Sequence, residues 1–201
     1  MIDSDIAVYG IKVSIMRRVD IYVGASPIGE QETWAYPNGE VLGHFLVPVY
    51  ECIVLGNDGK GKRVQESFEV LRFGVLCRDG KTASVVGLSD QQTHKIKGWI
   101  STYSVHSASS NENGAWQVFG NFLIHDGPDN STEIFATIGC IEIMGPSGFN
   151  QFNDLLISLS GPKTKYRDSQ LEEIGSKGEI YITYMKADRP PLKRVPKANV
   201  K

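Results

Sequence analysis

The sequence predicts a mainly β fold with one or two short helices near its end. Apolar and polar residues alternate in several runs, most clearly in "VLGHFLVPVYECIVLG", where Val47, Val49 and Ile53 fall on one side. Turn-forming stretches separate these runs: "GNDGKGK" (56–62) and "RDGK" (78–81). Helical periodicity appears only in the last third of the chain. Together these observations favour a β-rich domain.

The strands can be placed in order along the chain. The first predicted strand is "KVSIMRRVDIYVG", followed by the run that contains Val47, in which Pro48 indicates an edge position or a bulge. The strand "SFEVLRFGVLC" leads into the 78–81 turn, and "TASVVGL" returns from it. A polar, glycine-containing loop (104–116) lies before "NFLIH" and "EIFATIGCIEI", two more apolar runs. The run "GEIYITYMKA" predicts a closing strand.

Two helices are predicted after the last cysteine. In "GFNQFNDLLISLSG" the apolar residues recur at helical spacing and form one stripe, and Gly161 and Pro162 follow as a stop signal. This stripe is typical of core packing. A shorter helix is predicted in "RDSQLEEIG", with Gly175 as its end.

The chain has 201 residues and a formal net charge of -2. We expect one domain over residues 1–188, because no linker or internal repeat interrupts it. Residues 189–201, "RPPLKRVPKANVK", form a basic tail with three prolines and are predicted to be flexible. The scattered basic residues argue against nucleic acid as a partner.

The sequence predicts neither a membrane span nor a cleaved signal. No run approaches the ~18 apolar residues of a transmembrane helix. The start, "MIDSDIAVYGIKVS", carries two aspartates where a signal peptide would carry positive charge. We therefore expect a soluble chain without an N-terminal signal peptide.

Three cysteines, Cys52, Cys77 and Cys140, make a complete disulfide framework impossible. Cys52 and Cys77 lie in apolar runs, so two buried thiols are expected, although a disulfide between them also fits the sequence. No cysteine or histidine spacing matches a metal-site pattern, and we expect neither metal nor cofactor.

One histidine and one cysteine end neighbouring apolar runs. His125 closes "NFLIH", a turn "DGPDN" follows, and Cys140 lies 15 residues after His125 in the second run. Two strands joined by a loop could bring them together, and a histidine that takes the thiol proton creates a nucleophilic thiolate. Gly139 interrupts the run directly before the cysteine and could free backbone N–H groups for an oxyanion. Asp126 or a nearby backbone carbonyl could orient the imidazole. By spacing alone, a buried thiol and a core histidine are the default interpretation of this pair.

The segment "IHDGPDNSTEIFATIGCIEI" resembles the active-site signature of the L,D-transpeptidase (YkuD-type) family. Ile124 and His125 resemble its "IHG" segment, with Gly127 displaced by one position, and the "TIGCI" stretch (137–141) resembles its "[ST]-[HK]-G-C" segment. "GAW" (114–116) and the later helix and strand extend the resemblance over residues 113–184. It implies an L,D-transpeptidase-like β-rich domain.

The sequence departs from the family pattern at two positions. Ile138 stands where the family usually has histidine or lysine, and Glu142 stands where it usually has arginine. In the family that arginine is thought to place an anionic group of the peptide donor. A carboxylate cannot preserve this contact, so these two residues are expected to decide which substrate is used.

The resemblance implies two-step acyl transfer on peptidoglycan stem tetrapeptides. His125 would act as general base and then general acid for Cys140, while N–H groups around Gly139 and Cys140 would hold the oxyanion. The acyl group would pass to an amine or to water. Because this substrate lies outside the cytoplasm, a chain without a signal peptide is expected to be a secreted antibacterial effector, with a secretion apparatus or an immunity protein as partner.

Two other functions fit the same sequence: a cysteine peptidase or amidase using the same pair, and a non-catalytic cell-wall-binding or structural module with a decayed site.

Several residues are candidates for substrate contacts. His106 lies in the polar loop and is either a site or a surface residue. Trp116 is expected either to line a cleft or to lie in the core. Thr137 and Ile138 flank the glycine, and Glu142 is expected to share a strand face with Cys140 and to meet a substrate amine or a basic side chain.

Overall fold

The computed structural model describes residues 16–37, 39–105 and 113–196. These residues form thirteen strands and two helices, confirming the predicted β-rich fold with short helices. The strands are β1 (Arg18–Tyr36), β2 (Gly39–Asn57), β3 (Arg63–Leu71), β4 (Gly74–Arg78), β5 (Thr82–Val86), β6 (Gln92–Lys95), β7 (Gly98–Ile100), β8 (Ala115–Phe119), β9 (Phe122–Asp126), β10 (Phe135–Ala136), β11 (Ile141–Ile143), β12 (Glu179–Tyr184) and β13 (Lys193–Arg194). The helices are α1 (Gly148–Ser160) and α2 (Arg167–Lys177).

All thirteen strands of the described chain belong to one mixed sheet. Its main path runs in the order β5-β4-β1-β2-β3-β11-β9-β8-β7. Strands β10 and β12 pair with β1, β6 pairs with β12, and β13 pairs with β2. His125 lies on β9 and Cys140 directly before β11, and both strands lie inside the sheet, where β11 pairs with both β3 and β9.

The long antiparallel pair β1–β2 divides the core into two parts. The register of β1 shifts between Val23 and Gly29, which marks a bulge. Before the bulge, β1 contributes Val19, Ile21 and Val23 to the larger core cluster; beyond it, Ala35 packs in a second cluster with residues of β2 and β4. β3 pairs with β2 only from Val49 onward, so Pro48 lies just past that pairing, as expected for an edge position.

The predicted turns are confirmed. β2 and β3 are joined through residues 58–62, where the Asp58 carboxylate accepts hydrogen bonds from the backbone N–H groups of Lys60 and Lys62. These two hydrogen bonds are the main reason that the pKa of Asp58 lies below its usual range. β4 and β5 form the hairpin predicted around the "RDGK" sequence.

The helix α1 follows the predicted apolar stripe. Its five stripe residues are all buried in the larger core: Phe149, Phe152, Leu155, Leu156 and Leu159. Gly161 ends the helix in a left-handed conformation with φ 68°, and its N–H donates to the Ile157 carbonyl.

The predicted end of α2 at Gly175 is wrong, since the helix continues to Lys177. Gly175 lies inside the helix because the backbone of Trp99 passes close to it. A Cβ at this position would lie 2.5 Å from the Trp99 nitrogen. The glycine therefore serves close packing between α2 and β7 rather than helix termination.

Part of the basic tail is paired with the sheet, which differs from the predicted flexible end. Strand β13 lies antiparallel to β2, with Lys193 opposite Leu46 and Arg194 opposite Phe45. The Arg194 guanidinium donates to the Leu42 carbonyl (2.7 Å) and lies 4.9 Å from the centre of the Phe45 ring. Backbone pairing and these side-chain contacts together hold this segment.

None of the three cysteines forms a disulfide, and all three are buried. Cys52 packs in the larger core cluster and Cys77 in the second, so the Cys52–Cys77 disulfide that the sequence left open is not formed.

Neither described helix combines the length and the apolarity needed to cross a membrane.

Candidate active site

Parallel pairing of β9 and β11 brings the predicted pair of residues together. His125 lies opposite Glu142, and Ile124 lies opposite Ile141. Side chains that are opposite in a parallel pair lie on the same face, and residues two positions apart on one strand also share a face. His125 and Glu142 therefore face the same side of the sheet, on strands about 4.8 Å apart. Cys140 lies just before β11 and packs with Leu123, which shares a face of β9 with His125, so the thiol lies on that side too.

The imidazole of His125 is oriented by a backbone carbonyl. Its Nδ1 lies 2.7 Å from the Asp126 carbonyl oxygen, so Nδ1 donates and Nε2 is left with a lone pair. Of the two orienting groups considered from the sequence, the backbone carbonyl makes this contact. Burial lowers the pKa of His125 to about 4, and the Asp126 carbonyl offsets only part of that effect.

Cys140 lies just before β11 and is 4% exposed. Its Sγ lies 3.9 Å from the Asn121 carbonyl, and its side chain packs with Ala115, Leu123 and Tyr103. Burial raises the pKa of the thiol to about 11; the Leu123 backbone opposes this rise, and the charge of Glu142 adds to it. The thiol and the imidazole are therefore both neutral near pH 7. Within the described part of the chain, no hydrogen bond joins the Cys140 thiol to the His125 ring.

Glu142 is a buried carboxyl with 3% exposure. Burial raises its pKa to about 8; the neighbouring Thr137 hydroxyl works in the opposite direction, and the charge of Asp126 adds to the rise. Across the described ranges, Glu142 forms no salt bridge with a lysine or an arginine. The expected shared face with Cys140 is confirmed, whereas the basic protein partner considered for Glu142 is not seen in these ranges.

The segment before Cys140 is held by close backbone contacts. Gly139 has φ +91°, and a Cβ there would lie 2.6 Å from the Gly87 Cα. The Thr137 carbonyl accepts a hydrogen bond from Val75 N–H (2.9 Å), and Gly74 packs directly against that carbonyl. The glycine interruption seen in the sequence thus marks both a left-handed residue and a close approach.

A cavity of about 220 Å³ opens beside His125 and Glu142, and Cys140 is not among its described lining residues. Its described lining consists of Tyr36, Tyr103, Val105, His125, Asp126, Gly127, Phe135, Ala136, Ile138 and Glu142. Ile138 is 42% exposed and, with the exposed Tyr36 ring, forms an apolar part of the lining that solvent reaches. The cavity thus combines apolar walls with two carboxyl-bearing residues and one imidazole.

One candidate substrate residue, Trp116, lies away from the cavity. Trp116 is fully buried, its indole N–H donates to the Asn153 side-chain oxygen (2.8 Å), and its ring packs on Trp99. This placement agrees with the core interpretation rather than the cleft interpretation. His106 lies outside the described residues.

Tyr103 lines the cavity and was not identified from the sequence. Its ring centre lies 5.2 Å from that of His125, and it also packs against the cluster that contains Cys140. Burial raises the pKa of Tyr103 to about 12, so the phenol remains neutral. Tyr103 follows the short strand β7 without any local motif, and only the tertiary fold places it beside the histidine.

The arrangement can support nucleophilic chemistry if a bound substrate draws the thiol proton toward Nε2 of His125. The described residues include no group of three or more His, Cys, Asp or Glu side chains placed to hold a metal ion. Comparisons with models of protein families, with curated proteins and with solved structures found no match to this chain.

Proposed function

We propose that the chain is a cysteine acyltransferase or peptidase of L,D-transpeptidase type that acts on peptidoglycan stem tetrapeptides. The observation that carries this proposal is the parallel pairing of β9 and β11, which sets His125 opposite Glu142 at a cavity, with Cys140 directly before β11. The resemblance of residues 113–184 to the family's signature supplies the substrate class.

The reaction begins when His125 Nε2 takes the thiol proton from Cys140. The sulfur attacks the carbonyl carbon after the third residue of the stem peptide, and N–H groups near Gly139 and Cys140 stabilise the oxyanion. The C–N bond breaks, His125 returns the proton to the leaving nitrogen, and D-alanine departs. The resulting thioester then passes its acyl group to an amine or to water.

Because the Cys140 thiol and the His125 imidazole are both neutral, the thiolate must form only when a substrate is bound. A thiol with a pKa of about 11 and an imidazole with a pKa of about 4 do not exchange a proton spontaneously. Proton transfer is therefore coupled to the attack on the carbonyl, where the negative charge moves from sulfur to the oxyanion.

The experiment is digestion of purified muropeptides followed by mass spectrometry. Loss or exchange of the terminal D-alanine supports the proposal, whereas cleavage elsewhere in the stem supports a peptidase or amidase with the same pair. Cys140→Ala should abolish product formation while binding of the peptide persists. Product formation by Cys140→Ala at the wild-type rate would contradict both enzyme functions.

A non-catalytic cell-wall-binding module is the second candidate. The specific observation that favours it is the buried, protonated thiol without a hydrogen bond to His125. In that case muropeptides would bind to the wild type and to Cys140→Ala with equal affinity and would be recovered unchanged.

We propose that the chain acts outside the cytoplasmic membrane, where its substrate lies, as a secreted antibacterial effector. Bacteria that produce the chain with an added export signal should lyse or show altered muropeptides, and those that produce it without export should not. The exported Cys140→Ala variant is the matched control. Equal effects of the exported wild type and exported Cys140→Ala would contradict the enzymatic basis of toxicity.

A further inference from the structure

A fully buried arginine lies close to the cysteine segment and takes no part in the proposed reaction. Arg72 comes directly after β3 and is 0% exposed. Within the described ranges, no carboxylate forms an ion pair with it. Because a buried charge is costly unless hydrogen bonds compensate it, the acceptors around Arg72 show what the charge holds in place.

The guanidinium of Arg72 joins three separate segments through their backbone carbonyls. Nη1 donates to the carbonyls of Gly24 (2.7 Å), in the bulge of β1, and of Met185 (3.0 Å), directly after β12. Nη2 donates to the Leu88 carbonyl (2.6 Å), in the connection between β5 and β6. Hydrogen bonds from a charged donor are stronger than those between neutral groups, so the guanidinium fixes the three segments relative to one another.

One of these segments lies between Arg72 and the cysteine. Gly87 precedes Leu88, and a Cβ added to Gly87 would lie 2.5 Å from the Arg72 carbonyl oxygen. A Cβ added to Gly139 would lie 2.6 Å from the Gly87 Cα, and Cys140 is the next residue. The backbone at Gly87 is therefore enclosed between Arg72 and the cysteine segment, without room for a side chain. If this backbone moves away, Gly139 loses the surface against which it packs, and the thiol beside it becomes accessible.

The same connection is also held from the surface, by a weaker contact. A guanidinium N–H of Arg189 donates to the Gly87 carbonyl at 3.3 Å, and Arg189 is exposed. Water competes for an exposed hydrogen bond, whereas the Arg72 side chain is closed to solvent. Arg72 is therefore expected to contribute more of the restraint on this connection than Arg189 does.

We propose that Arg72 is a positioning residue for Cys140. Its hydrogen bond to Leu88 keeps the backbone of this connection against Gly139, and that contact keeps the thiol buried. Arg72 has this role in the folded protein whether or not Cys140 takes part in acyl transfer, because it acts on the packing around the thiol. No covalent bond forms or breaks.

The test measures alkylation of Cys140 and Cys52 by iodoacetamide at one fixed pH in the full-length wild type and in Arg72→Met, resolved by peptide-level mass spectrometry. Methionine fills part of the same space but has no N–H group. Cys52 is 0% exposed in the larger core cluster, so its alkylation reports global unfolding. Arg72→Met should raise the rate at Cys140 about tenfold relative to the rate at Cys52, as expected for the loss of one charged hydrogen bond.

Two further variants complete the comparison. Arg189→Ala is the matched control: it removes the exposed hydrogen bond to the same connection and should change the rate at Cys140 by less than about twofold. Arg72→Lys keeps the charge but lacks the planar fork that reaches three carbonyls, so it should give a smaller selective rise. This variant also provides the test if Arg72→Met does not fold.

A purely structural role for Arg72 would raise the alkylation rates of Cys140 and Cys52 by the same factor. That result, an unchanged rate at Cys140 in the Arg72 variants, or an equal rise in Arg189→Ala would overturn the proposal. A selective rise at Cys140 in a protein whose wild type releases no D-alanine would support the positioning role and contradict the proposed acyl transfer.

Discussion

His125 and Glu142 lie opposite each other in register on the parallel strands β9 and β11, and both side chains are buried. Burial acts on them in opposite directions, because it disfavours the charged form of each. The imidazole loses its proton more easily and the carboxyl keeps its proton more tightly. Both groups are thus largely neutral near pH 7.

The first prediction concerns the reactivity of Cys140. Because the pKa of its thiol is about 11, alkylation by iodoacetamide should accelerate up to pH 10 without levelling off. Peptide-level mass spectrometry can follow Cys140 separately from the other two cysteines. A short unstructured peptide with blocked ends and one cysteine is the control, and its alkylation rate should level off above about pH 9.5, one unit beyond the ordinary cysteine pKa of ~8.5. A plateau for Cys140 below pH 8 would show that the protein already holds a thiolate at neutral pH and would contradict the raised pKa.

The second prediction concerns Glu142 and the pH dependence of stability. Its pKa of about 8 in the folded protein lies above the ordinary value of 4.5, so the folded state binds this proton more tightly. The resulting stabilisation is complete below pH 4.5 and is lost as the pH rises through 8. Because of this residue, the unfolding free energy of the wild type should fall by about 2 to 3 kcal/mol between pH 6 and 9. Glu142→Gln should not show this part of the fall.

Urea unfolding of the wild type, Glu142→Gln and the control Glu66→Gln, at an exposed position on β3, measures this contribution. His125 acts in the other window: its lowered pKa makes stability fall as the pH drops from 6.5 to 4. Of these two residues, Glu142 therefore accounts for most of the change in unfolding free energy between pH 6 and 9. If the unfolding free energies of the wild type and Glu142→Gln depend on pH in the same way, the raised pKa of Glu142 is contradicted.

The third prediction separates backbone strain from close packing at Gly139. Gly139 and Gly43 both have positive φ, +91° and +78°, but only Gly139 has neighbours within 4 Å of an added Cβ. Gly43→Ala should cost about 1 to 2 kcal/mol from the left-handed conformation alone. Gly139→Ala should cost at least about 2 kcal/mol more, because the backbone of Gly87 must move. Equal losses of unfolding free energy for the two variants, measured by thermal or urea unfolding, would show that the Gly139–Gly87 contact adds nothing to the cost.

The fourth prediction tests the attachment of β13. Arg194→Ala removes a hydrogen bond to the Leu42 carbonyl and a cation–π contact with Phe45, and should lower the unfolding free energy by about 1 kcal/mol. Lys193→Ala is the matched control, since it removes only an exposed ion pair with Glu30 and should cost less than about 0.5 kcal/mol. Increased proteolysis near residue 190 in Arg194→Ala alone would support this attachment, and equal effects would contradict it.

Local patterns predicted much of the fold. The apolar stripe that includes Phe149 and Leu159 specifies a helix through its spacing, and the 78–81 turn specifies a hairpin through its residue types. Gly175 was misjudged because a glycine that ends a helix and one that admits a neighbouring backbone look identical in sequence. Strand β13 was missed because its pairing depends on Phe45, about 150 residues away.

The candidate site shows the same division between local and distant information. The sequence identified His125, Gly139, Cys140 and Glu142 through their local pattern, and Glu142 was correctly placed on the face of Cys140. The sequence could not show that β9 and β11 pair directly, that the Asp126 carbonyl orients the imidazole, or that Tyr103 lies beside it. Each of these contacts depends on tertiary packing that no short segment encodes.

The close contact between Gly139 and Gly87 links the cysteine segment to a second part of the chain. Gly87 follows β5, and its own added Cβ would lie 2.5 Å from the Arg72 carbonyl. Gly74 makes a similar contact with Thr137 from the start of β4. A signature for distant relatives of this chain should therefore combine the His125–Cys140 segment with two glycines spaced like Gly74 and Gly87 on either side of an upstream hairpin. Chains that keep the cysteine but fill either glycine position would need a different path for the backbone next to that cysteine.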